Sequence, residues 1–564
     1  MVDPILSARN VQVRFDTAGG SIHAVRGVDL DFIPGETVAI VGESGAGKSA
    51  FAKAILHLHQ VPFTPNRTHV TGEISLKRPF EASLVDIDPQ TLRRVRAQAI
   101  GMIFQDALSA LNPVQRIGPQ VAEAIKQARP DTSPGALQSQ VIEILDAIGL
   151  PNPTDRVRDF PHELSGGQCQ RVMIAIAAVR HPVAIIADEP TTALDVTVQA
   201  QILRLLKALQ DQRGMAMLFI SHDLGVVSEI ADRVLVMYQG EVVESGSAAD
   251  VLQRPSHAYT KRLLASQPNA RRRPSANAAT IGARNGTGAV NGEGVAAPAI
   301  EADGVSFAYA RGFLGGARTA PVVNNVSFSM QEGHVHGLVG ESGSGKSTLG
   351  RLVLGFLKPR SGTIRTLGRA PHSLKGQEES AFRKAVQVVY QDSASALNPR
   401  LTLGRSAAEG LIIHGMSVAD ARAQARVLFD QVRLPQALME RFPHEVSGGQ
   451  RQRVCIARAL ALKPRLLIAD EPVTALDLSV QAQILDLFGE LQADLGLSML
   501  FISHDLGVVR ALCDTVSVMH KGAIVEGGDT ETVFDAPQTA YSQNLIASVP
   551  SAAWGQPEAA ATAP

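Results

Sequence analysis

The chain of 564 residues contains the same ordered series of short motifs twice. The segment GESGAGKS at 42–49 recurs as GESGSGKS at 340–347, an offset of 298 (340 − 42). The offset is 286 for Gln105 and Gln391 (391 − 105). It then stays at 282 for three further pairs, which are Ser165 and Ser447 (447 − 165), Asp188 and Asp470 (470 − 188), and His222 and His504 (504 − 222). A duplicated domain explains these offsets, with about a dozen extra residues before Gln105 in the first copy.

Length and charge narrow the class of protein. A chain of this length is too long for one hydrophobic core, and two repeats of roughly 260 residues fit the usual domain size. The 53 Lys and Arg residues nearly balance the 54 Asp and Glu residues, so the net charge of −1 gives no basic footprint for nucleic acid. Cys169, Cys455 and Cys513 have neither metal nor disulfide spacing, which is typical of a protein from a reducing compartment.

Composition also predicts the domain boundaries. We expect domain 1 at 5–266, a flexible linker at 267–299, domain 2 at 300–550 and a disordered tail at 551–564, because linker and tail are poor in large apolar residues. The N-terminal sequence does not resemble a secretory signal. No apolar run approaches the ~18 residues that span a bilayer, so the chain is expected to be cytoplasmic, soluble or peripheral.

The pattern of apolar residues predicts an α/β fold in each repeat. Short β-branched runs such as TVAIVG at 37–42 and VAIIAD at 183–188 alternate with helical patterns such as the one at 196–211. This alternation favours a largely parallel central sheet. The opening of each repeat alternates apolar and polar residues instead, which favours an antiparallel subdomain beside the parallel core.

The glycine-rich segments have the pattern of a phosphate-binding loop, or P-loop. Glycines let the backbone turn tightly so that successive N–H groups and a helix N-terminus face an anion. Lysine places a charge near the β- and γ-phosphates, and the following serine offers its hydroxyl to magnesium. The predicted nucleotide-binding residues are Gly42, Ser44, Gly45, Gly47, Lys48, Ser49 and Ala50 in the first loop, and Gly340, Ser342, Gly343, Gly345, Lys346, Ser347 and Thr348 in the second.

An acidic pair ends a buried strand in each repeat, as Asp188-Glu189 and Asp470-Glu471. An aspartate at the carboxyl end of such a strand can hold magnesium through water. The adjacent glutamate can polarise the attacking water, so we predict Glu189 and Glu471 as catalytic residues and the two aspartates as metal-site residues.

The sequences LSGGQ and VSGGQ form a second anion cradle in each repeat, with Ser165, Gly166, Gly167 and Gln168 in the first and Ser447, Gly448, Gly449 and Gln450 in the second. With these motifs the chain resembles the ATP-binding cassette (ABC) family over nearly its whole length. The resemblance implies two P-loop NTPase domains, each with a mainly parallel sheet core, an antiparallel β subdomain and a helical subdomain. It also implies that each signature binds the γ-phosphate of ATP held by the other domain.

Further roles follow from the resemblance, position by position. Gln105 and Gln391 match the Q-loop residues that touch magnesium and couple to a membrane partner. His222 and His504 match the switch histidines that contact the γ-phosphate. Two pairs complete the expected nucleotide contacts: Asp195 and Asp477 in the D-loops, and Phe15 and Tyr309 as the aromatics that stack on adenine.

The two phosphate loops differ at their last predicted contact residue. Ala50 lacks the hydroxyl that Thr348 can give to phosphate, so we expect slightly weaker nucleotide binding at the first loop. Both catalytic glutamates are present, which predicts two hydrolytic sites formed head to tail between the domains. His334 and His336 have alternating strand spacing without further ligands nearby, and we interpret them as structural.

Segments around the two glutamines, QDALSALNP and QDSASALNP, resemble the oligopeptide, dipeptide and nickel importer branch of the family. So do the closing segments HAYTKRLLAS and TAYSQNLIAS. The branch implies ATP and Mg²⁺, two transmembrane permease subunits contacted through the Q-loop regions, an extracytoplasmic solute-binding protein, and a place on the cytoplasmic face of the inner membrane. Residues 267–300 contain no cysteine, so we predict no iron–sulfur cluster.

Two alternatives to an importer subunit would have sequence features that differ from those of this chain. A soluble tandem cassette that remodels ribosomes or nucleic acid generally has a long charged helical linker or zinc-spaced cysteines, whereas this linker carries only a few arginines. A GTP-binding switch needs an NKxD sequence after its P-loop, which neither repeat has. The transported solute is chosen by other subunits; di- or oligopeptides are the first expectation, with nickel, glutathione and opine-like solutes as alternatives.

Overall fold

A computed structural model describes residues 3–17, 20–59, 67–192, 194–266, 298–309, 320–474 and 476–549. Within this part the chain forms two compact units, the first ending at Ser266 and the second at Val549. Most of the predicted linker, 267–297, and the predicted tail lie outside the described residues. No helix of the described part is both long and apolar enough to cross a bilayer.

Among its described residues the first unit contains ten strands: β1 Leu6–Thr17, β2 Gly20–Phe32, β3 Thr37–Val41, β4 Arg67–Leu76, β5 Ala82–Ser83, β6 Ile100–Ile103, β7 Ala184–Asp188, β8 Ala216–Ile220, β9 Arg233–Tyr238 and β10 Glu241–Ser247. Its α-helices are α1 Lys48–Ile55, α2 Pro89–Arg94, α3 Ala107–Ala110, α4 Ile117–Ala128, α5 Pro134–Ala147, α6 Pro153–Arg156, α7 Gly166–Ala178, α8 Val196–Arg213, α9 Leu224–Ile230, α10 Ala248–Gln253 and α11 Ala258–Ala265. A π-helical turn spans Val95–Ala99, and a 3-10 turn spans Pro161–Glu163.

The second unit contains nine strands in its described part: β11 Ile300–Phe307, β12 Val323–Met330, β13 Val335–Val339, β14 Ser361–Thr366, β15 Val386–Val389, β16 Leu466–Asp470, β17 Ser498–Ser503, β18 Thr515–His520 and β19 Ala523–Asp529. Its α-helices are α12 Lys346–Val353, α13 Gly376–Ala385, α14 Ser393–Ala396, α15 Leu403–Ile413, α16 Val418–Gln431, α17 Gly448–Leu460, α18 Leu478–Leu495, α19 Leu506–Leu512, α20 Thr530–Asp535 and α21 Ala540–Ala547. Three 3-10 turns occur at Pro371–Ser373, Gln436–Glu440 and Pro443–Glu445.

Each unit has an antiparallel sheet built from its opening strands, as the sequence predicts. The order is β2-β1-β4-β5 in the first unit and β12-β11-β14 in the second. In β1 the alternate residues Val11 and Val13 are buried and Gln12 is exposed, so one face of the strand joins the core.

The central sheet of each unit is mainly parallel, which confirms the predicted fold class. Its order is β10-β9-β3-β8-β7-β6 in the first unit and β15-β16-β17-β13-β18-β19 in the second, with only the pairs β9–β10 and β18–β19 antiparallel. All five residues of β3 are buried, as expected for a strand covered on both faces. The parallel strands β3, β7 and β8 have their carboxyl ends at one edge, where the loops that carry the predicted site begin.

Neighbouring strand residues belong to different cores because their side chains point to opposite faces of the sheet. Leu218 of β8 joins a core shared with the antiparallel sheet and α1, whereas Phe219 joins a core built with α4, α5 and α7. The second unit repeats this division at Leu500 and Phe501. The two cores hold the central sheet between the antiparallel sheet and the helical part of each unit.

Candidate active sites

The phosphate loop of each unit connects a buried strand to a helix. In the first unit it joins β3 to α1, and Gly47 at the helix N-terminus has φ 102°. A Cβ atom at Gly47 would lie 2.2 Å from the carbonyl oxygen of Ala24, so any larger residue would push the loop off the strand beside it. Gly345 has the same geometry, with φ 106°, and a Cβ atom there would lie only 2.5 Å from the Val322 oxygen. Both loops therefore keep a concave backbone at a helix N-terminus, which suits an anion.

Both loop lysines are buried and directed at the loop itself. Lys48 is 5% exposed, and its Nζ donates to the carbonyl oxygens of Gly42 at 2.7 Å and Glu43 at 2.8 Å. Lys346 is also 5% exposed and contacts Gly340 and Glu341 at the same two distances. A buried ammonium group among backbone carbonyls places positive charge inside the cradle, where the sequence predicts the β- and γ-phosphates.

A hydroxyl and a carboxylate meet beside each lysine. Ser49 Oγ donates to Asp188 Oδ1 at 2.7 Å, and Ser347 donates to Asp470 at 2.9 Å. Burial raises the pKa of both aspartates, partly opposed by these serine hydrogen bonds. An inward-facing carboxylate with a hydroxyl oxygen next to it forms the hard oxygen set that Mg²⁺ prefers, and a cation would relieve the cost of the buried charge.

The backbone bends sharply after each of these aspartates. Glu189 follows the last residue of β7 and has φ 48°, a left-handed conformation that is uncommon for glutamate. Its N–H donates to the carbonyl oxygen of Ile220 at the end of β8, at 2.9 Å. Glu471 has the same φ and the same contact, with Ile502. The bend separates the carboxylate of the glutamate from that of the preceding aspartate.

Three side chains hold the Glu189 carboxylate. Gln105 Nε2 donates to Oε2 at 2.8 Å, Thr192 Oγ1 donates to the same oxygen at 2.9 Å, and His222 Nδ1 lies 3.3 Å from it. These partners come from three segments, after β6, after β7 and after β8. The fold thus brings the predicted catalytic glutamate, Q-loop glutamine and switch histidine into one cluster.

The second unit repeats the cluster around Glu471. Gln391 Nε2 donates to Oε2 at 2.7 Å, Thr474 donates to it at 3.3 Å, and His504 Nδ1 lies 3.3 Å from Oε1. The predicted catalytic glutamate, Q-loop glutamine and switch histidine therefore lie together in both units.

The glutamate and histidine shift each other's pKa. Burial opposes charge on both groups, but the hydrogen bond and charge of His222 lower the pKa of Glu189 below its usual value. Reciprocally, burial is outweighed by Glu189, which raises the pKa of His222. The Glu471 and His504 pair shifts in the same directions. An ionised glutamate is the form that can accept a proton from water.

The two SGGQ segments begin helices with a reciprocal cap. Ser165 Oγ accepts from the Gln168 N–H at 3.4 Å, and Gln168 Oε1 accepts from the Ser165 N–H at 3.0 Å. Ser447 and Gln450 form the same pair at 3.3 and 3.1 Å. Both serines are exposed, so each of these helices begins on the surface of its own unit.

The D-loop aspartates precede the long helices α8 and α18. Asp195 accepts a hydrogen bond from the Val198 N–H at 2.9 Å and so caps α8. Asp477 is the residue before α18. This cap holds the N-terminus of α8 a few residues after the acidic pair.

The predicted adenine aromatics lie in different surroundings. Tyr309 is 41% exposed, and its hydroxyl is 3.3 Å from Thr348 Oγ1 on the first turn of α12. Phe15 is half-buried against the core, and its ring meets that of His59 edge-on with centroids 5.1 Å apart. Ala50 occupies the position equivalent to Thr348 and has no hydroxyl for such a contact.

Sequence reasoning missed Thr192 and Thr474, which share the glutamate cluster. Both follow the acidic pair by three residues and differ by 282 (474 − 192), so the constant offset was the available signal. His336, by contrast, is buried between Thr515 and Ser517 at 2.8 and 3.0 Å, which is a structural position. The described residues contain no group of three or more His, Cys, Asp or Glu placed to hold a metal on their own.

Family models match both halves of the chain. The model described as "ABC transporter" matches residues 25–192 and 323–474. A second, described as "Oligopeptide/dipeptide transporter, C-terminal region", matches 243–288 and 525–563. The first covers the phosphate loops and acidic pairs, and the second begins at the last strand of each sheet.

Curated relatives match nearly the whole chain. The glutathione import ATP-binding protein GsiA of Salmonella paratyphi A is 43% identical over 97% of this chain and 89% of its own length. The peptidoglycan transport ATP-binding protein YejF of Agrobacterium fabrum is 42% identical over 96% of both. The oligopeptide transport ATP-binding protein OppD of Mycobacterium tuberculosis is 40% identical over 97% of this chain and 99% of its own length.

Proposed function

The chain belongs to the ABC transporter family, and we propose that it hydrolyses ATP to drive the import of di- or oligopeptides or related small solutes. It is an ATP-binding, energy-coupling subunit with two ABC domains in one chain. The observation that carries the hydrolytic role is the Glu189 carboxylate, held by Gln105 and His222 beside the phosphate loop, with the same arrangement at Glu471.

Each unit supplies the groups that phosphoryl transfer to water requires. The loop N–H groups and Lys48 neutralise phosphate charge, and Glu189 orients the attacking water and accepts its proton. His222 keeps Glu189 ionised and in place through their hydrogen bond. Lys346, Glu471 and His504 perform these steps in the second unit. Positioning and charge stabilisation, rather than covalent catalysis, carry the reaction.

Magnesium fits the oxygen pair in each unit. Ser49 and Asp188, and likewise Ser347 and Asp470, would hold it, with the Gln105 and Gln391 amide oxygens as further ligands. A magnesium ion held by these oxygens would supply positive charge that offsets the negative charge of the reacting phosphates. The predicted absence of an iron–sulfur cluster concerns residues outside the described part and stays a prediction.

We propose two hydrolytic sites, each closed by the signature of the other domain. In this arrangement Ser447–Gln450 would complete the site of Lys48, and Ser165–Gln168 would complete the site of Lys346. The exposed, capped starts of α7 and α17 support this, because N–H groups at a helix start can bind a γ-phosphate. ATP binding then closes the pair, and hydrolysis reopens it.

The names of the relatives guide the proposal for cargo and partners. Two of them are named for glutathione and oligopeptide transport, and glutathione is itself a peptide. We therefore propose a peptide cargo, two permease subunits contacted through the regions around Gln105 and Gln391, a solute-binding protein outside the membrane, and a peripheral position on the cytoplasmic face.

Reconstitution tests this function. The chain, co-expressed with its proposed permease subunits, should assemble with them and drive ATP-dependent peptide uptake into proteoliposomes containing the solute-binding protein. Purification from native membranes should recover the permeases. Recovery of ribosomes or nucleic acid instead, without permeases, would support the soluble remodelling alternative.

A further inference from the structure

A tyrosine from the end of each unit reaches back to its phosphate loop. The Tyr259 hydroxyl in α11 accepts a hydrogen bond from the N–H of Glu43, at 3.0 Å and 216 residues away in sequence. Tyr541 in α21 accepts from the N–H of Glu341, at 3.3 Å. The offset is 282 for the two tyrosines (541 − 259), and each contacts the second residue of its loop. The same contact in both units indicates a constant feature of the fold.

The contacted loop residue is also the one that holds the lysine. Glu43 donates its N–H to Tyr259 and accepts from Lys48 Nζ through its carbonyl oxygen at 2.8 Å. In the second unit Lys346 likewise contacts the carbonyl of Glu341 at 2.8 Å. One residue therefore connects the tyrosine to the phosphate-binding lysine. The N–H of Glu43 also shares a peptide unit with the Gly42 carbonyl, which accepts from Lys48 Nζ at 2.7 Å, so a rotation of that peptide plane would move the Nζ.

The tyrosine rings are packed against the sheet that carries the loop. Tyr259 is 3% exposed, and its ring centroid lies 4.3 Å from that of Tyr238 at the end of β9. The ring centroid of Tyr541 lies 3.9 Å from that of His520 at the end of β18. Strands β9 and β18 are direct neighbours of β3 and β13, the strands that lead into the two loops. This packing fixes the position of each tyrosine hydroxyl relative to its phosphate loop.

A carboxylate fixes the start of the helix that carries each tyrosine. Glu244 of β10 accepts from the backbone N–H groups of Ser256 at 2.7 Å and His257 at 3.1 Å. Glu526 of β19 accepts from those of Gln538 and Thr539, also at 2.7 and 3.1 Å. Each contact joins the last strand of the sheet to the segment entering the final helix. Each final helix is therefore held to the last strand of the sheet before its first residue, and to the phosphate loop through its tyrosine hydroxyl.

We propose that Tyr259 and Tyr541 are positioning residues for ATP binding: each hydroxyl fixes the second residue of its phosphate loop and, through that residue's carbonyl, the loop lysine. This rests on the proposed function, since it assigns a role within the same ATP sites. It also gives a role to the segments matched by the C-terminal transporter region, 243–288 and 525–563, whose strands and helices in the described part deliver the two hydroxyls.

The test removes only the two hydroxyls. Tyr259→Phe with Tyr541→Phe keeps both rings and their stacking, and Tyr238→Phe is the matched control, because its hydroxyl accepts from Gln239 rather than from the loop. Loss of one hydrogen bond per site should weaken ATP binding about three- to tenfold. We expect KM for ATP to rise by that factor with a small change in kcat, and the Kd for ATP to rise equally in the full-length chain.

The readouts separate this inference from the proposed function. Kd is measured by equilibrium binding in the Glu189→Gln and Glu471→Gln background, where it does not depend on turnover. A Kd and KM equal to those of the Tyr238→Phe control, with or without a lower melting temperature, overturn the positioning role. If the wild-type chain in its transporter complex hydrolysed no ATP, the proposed function would fail, while the Kd comparison would still decide the role of the tyrosines.

Discussion

The Nε2 atom of Gln105 lies 2.8 Å from Oε2 of Glu189, so the Q-loop is hydrogen-bonded to the proposed catalytic carboxylate. Gln391 and Glu471 repeat the contact at 2.7 Å. The family resemblance implies that this glutamine touches magnesium and couples to the permease. The hydrogen bond links the two expected roles, because any displacement of Gln105 by a membrane partner would move a donor away from the carboxylate that we propose activates water.

Removing the carboxylate charge should remove hydrolysis. Glu189→Gln and Glu471→Gln should each lower the ATPase rate, and together they should abolish it, since general-base catalysis contributes about 10²–10⁴-fold. ATP binding should persist because the loop lysines are untouched. Steady-state phosphate release by the purified complex is the measurement. A double variant that hydrolysed ATP at the wild-type rate would show that neither glutamate is the base.

The pH dependence of the rate should depend on the histidines. Burial raises the pKa of Glu189 and Glu471, but His222 and His504 outweigh it and lower the pKa, so removal of the histidines should raise it. In His222→Ala with His504→Ala the acid limb of the kcat profile should therefore move to higher pH, together with a lower maximal rate. The profile is measured from pH 5 to 9 with saturating MgATP. An unchanged acid limb would mean that the histidines do not set the ionisation of the glutamates.

The two phosphate loops should differ in affinity because of one hydroxyl. Ala50→Thr supplies to the first site the hydroxyl that Thr348 gives the second, and Thr348→Ala removes it together with its contact to Tyr309. With the other site inactivated by its Glu→Gln change, we expect KM for ATP to fall about two- to fivefold in Ala50→Thr and to rise similarly in Thr348→Ala. A KM that rose in Ala50→Thr, or fell in Thr348→Ala, would contradict the assigned role of this position.

Much of the site follows from the sequence, for physical reasons. Parallel strands end at one edge of a sheet, so residues after β3 and β7 must meet, and Ser49 does contact Asp188. The duplicated offsets identify the same residues in both halves. The left-handed conformation of Glu189 has no local signal, because glutamate rarely adopts it and the Ile220 carbonyl on another strand holds it there. Tyr259 is equally unpredictable, since its partner is 216 residues away.

The carboxylates that anchor the final helices should make stability depend on acid. Burial raises the pKa of Glu244 and Glu526, but hydrogen bonds from the side chains of Thr260 and Ser542, and from the segments entering α11 and α21, outweigh it and lower the pKa to about 2, from 4.5. Their folded pKa lies below the unfolded one, so this stabilisation is complete above pH 4.5 and is lost as pH falls toward 2. Glu244→Gln with Glu526→Gln should lower the melting temperature by about 2–4 °C at pH 7.

That difference in melting temperature between wild type and variant should shrink as pH falls below 4.5. Thermal unfolding followed by circular dichroism from pH 7 to pH 3 measures it. Glu241→Gln is a suitable control, because Glu241 is an exposed residue on the same strand β10. A difference that stayed constant down to pH 3 would show that these carboxylates are not the source of the acid sensitivity.

The second glycine of each SGGQ segment is required by helix packing as well as by its place in the motif. A Cβ at Gly167 would lie 2.5 Å from Val198 Cγ1 of α8, and one at Gly449 would lie 2.3 Å from Val480 Cγ1 of α18. The first glycine is different, since a Cβ at Gly166 would meet only Leu194, at an ordinary 3.7 Å. Packing at Gly167 therefore couples the start of α7 to the helix that Asp195 caps.

Gly167→Ala should destabilise the first unit by about 1–3 kcal/mol through overpacking, whereas Gly166→Ala should leave its free energy of unfolding nearly unchanged. Val198→Ala removes the clashing methyl groups, so the double variant Gly167→Ala with Val198→Ala should recover most of the loss. Chemical denaturation of wild type, the two single variants and the double variant gives the coupling free energy directly. Additive effects of the two substitutions would mean that the valine does not enforce glycine at this position, because contact between the two sites is what makes their free energies depend on each other.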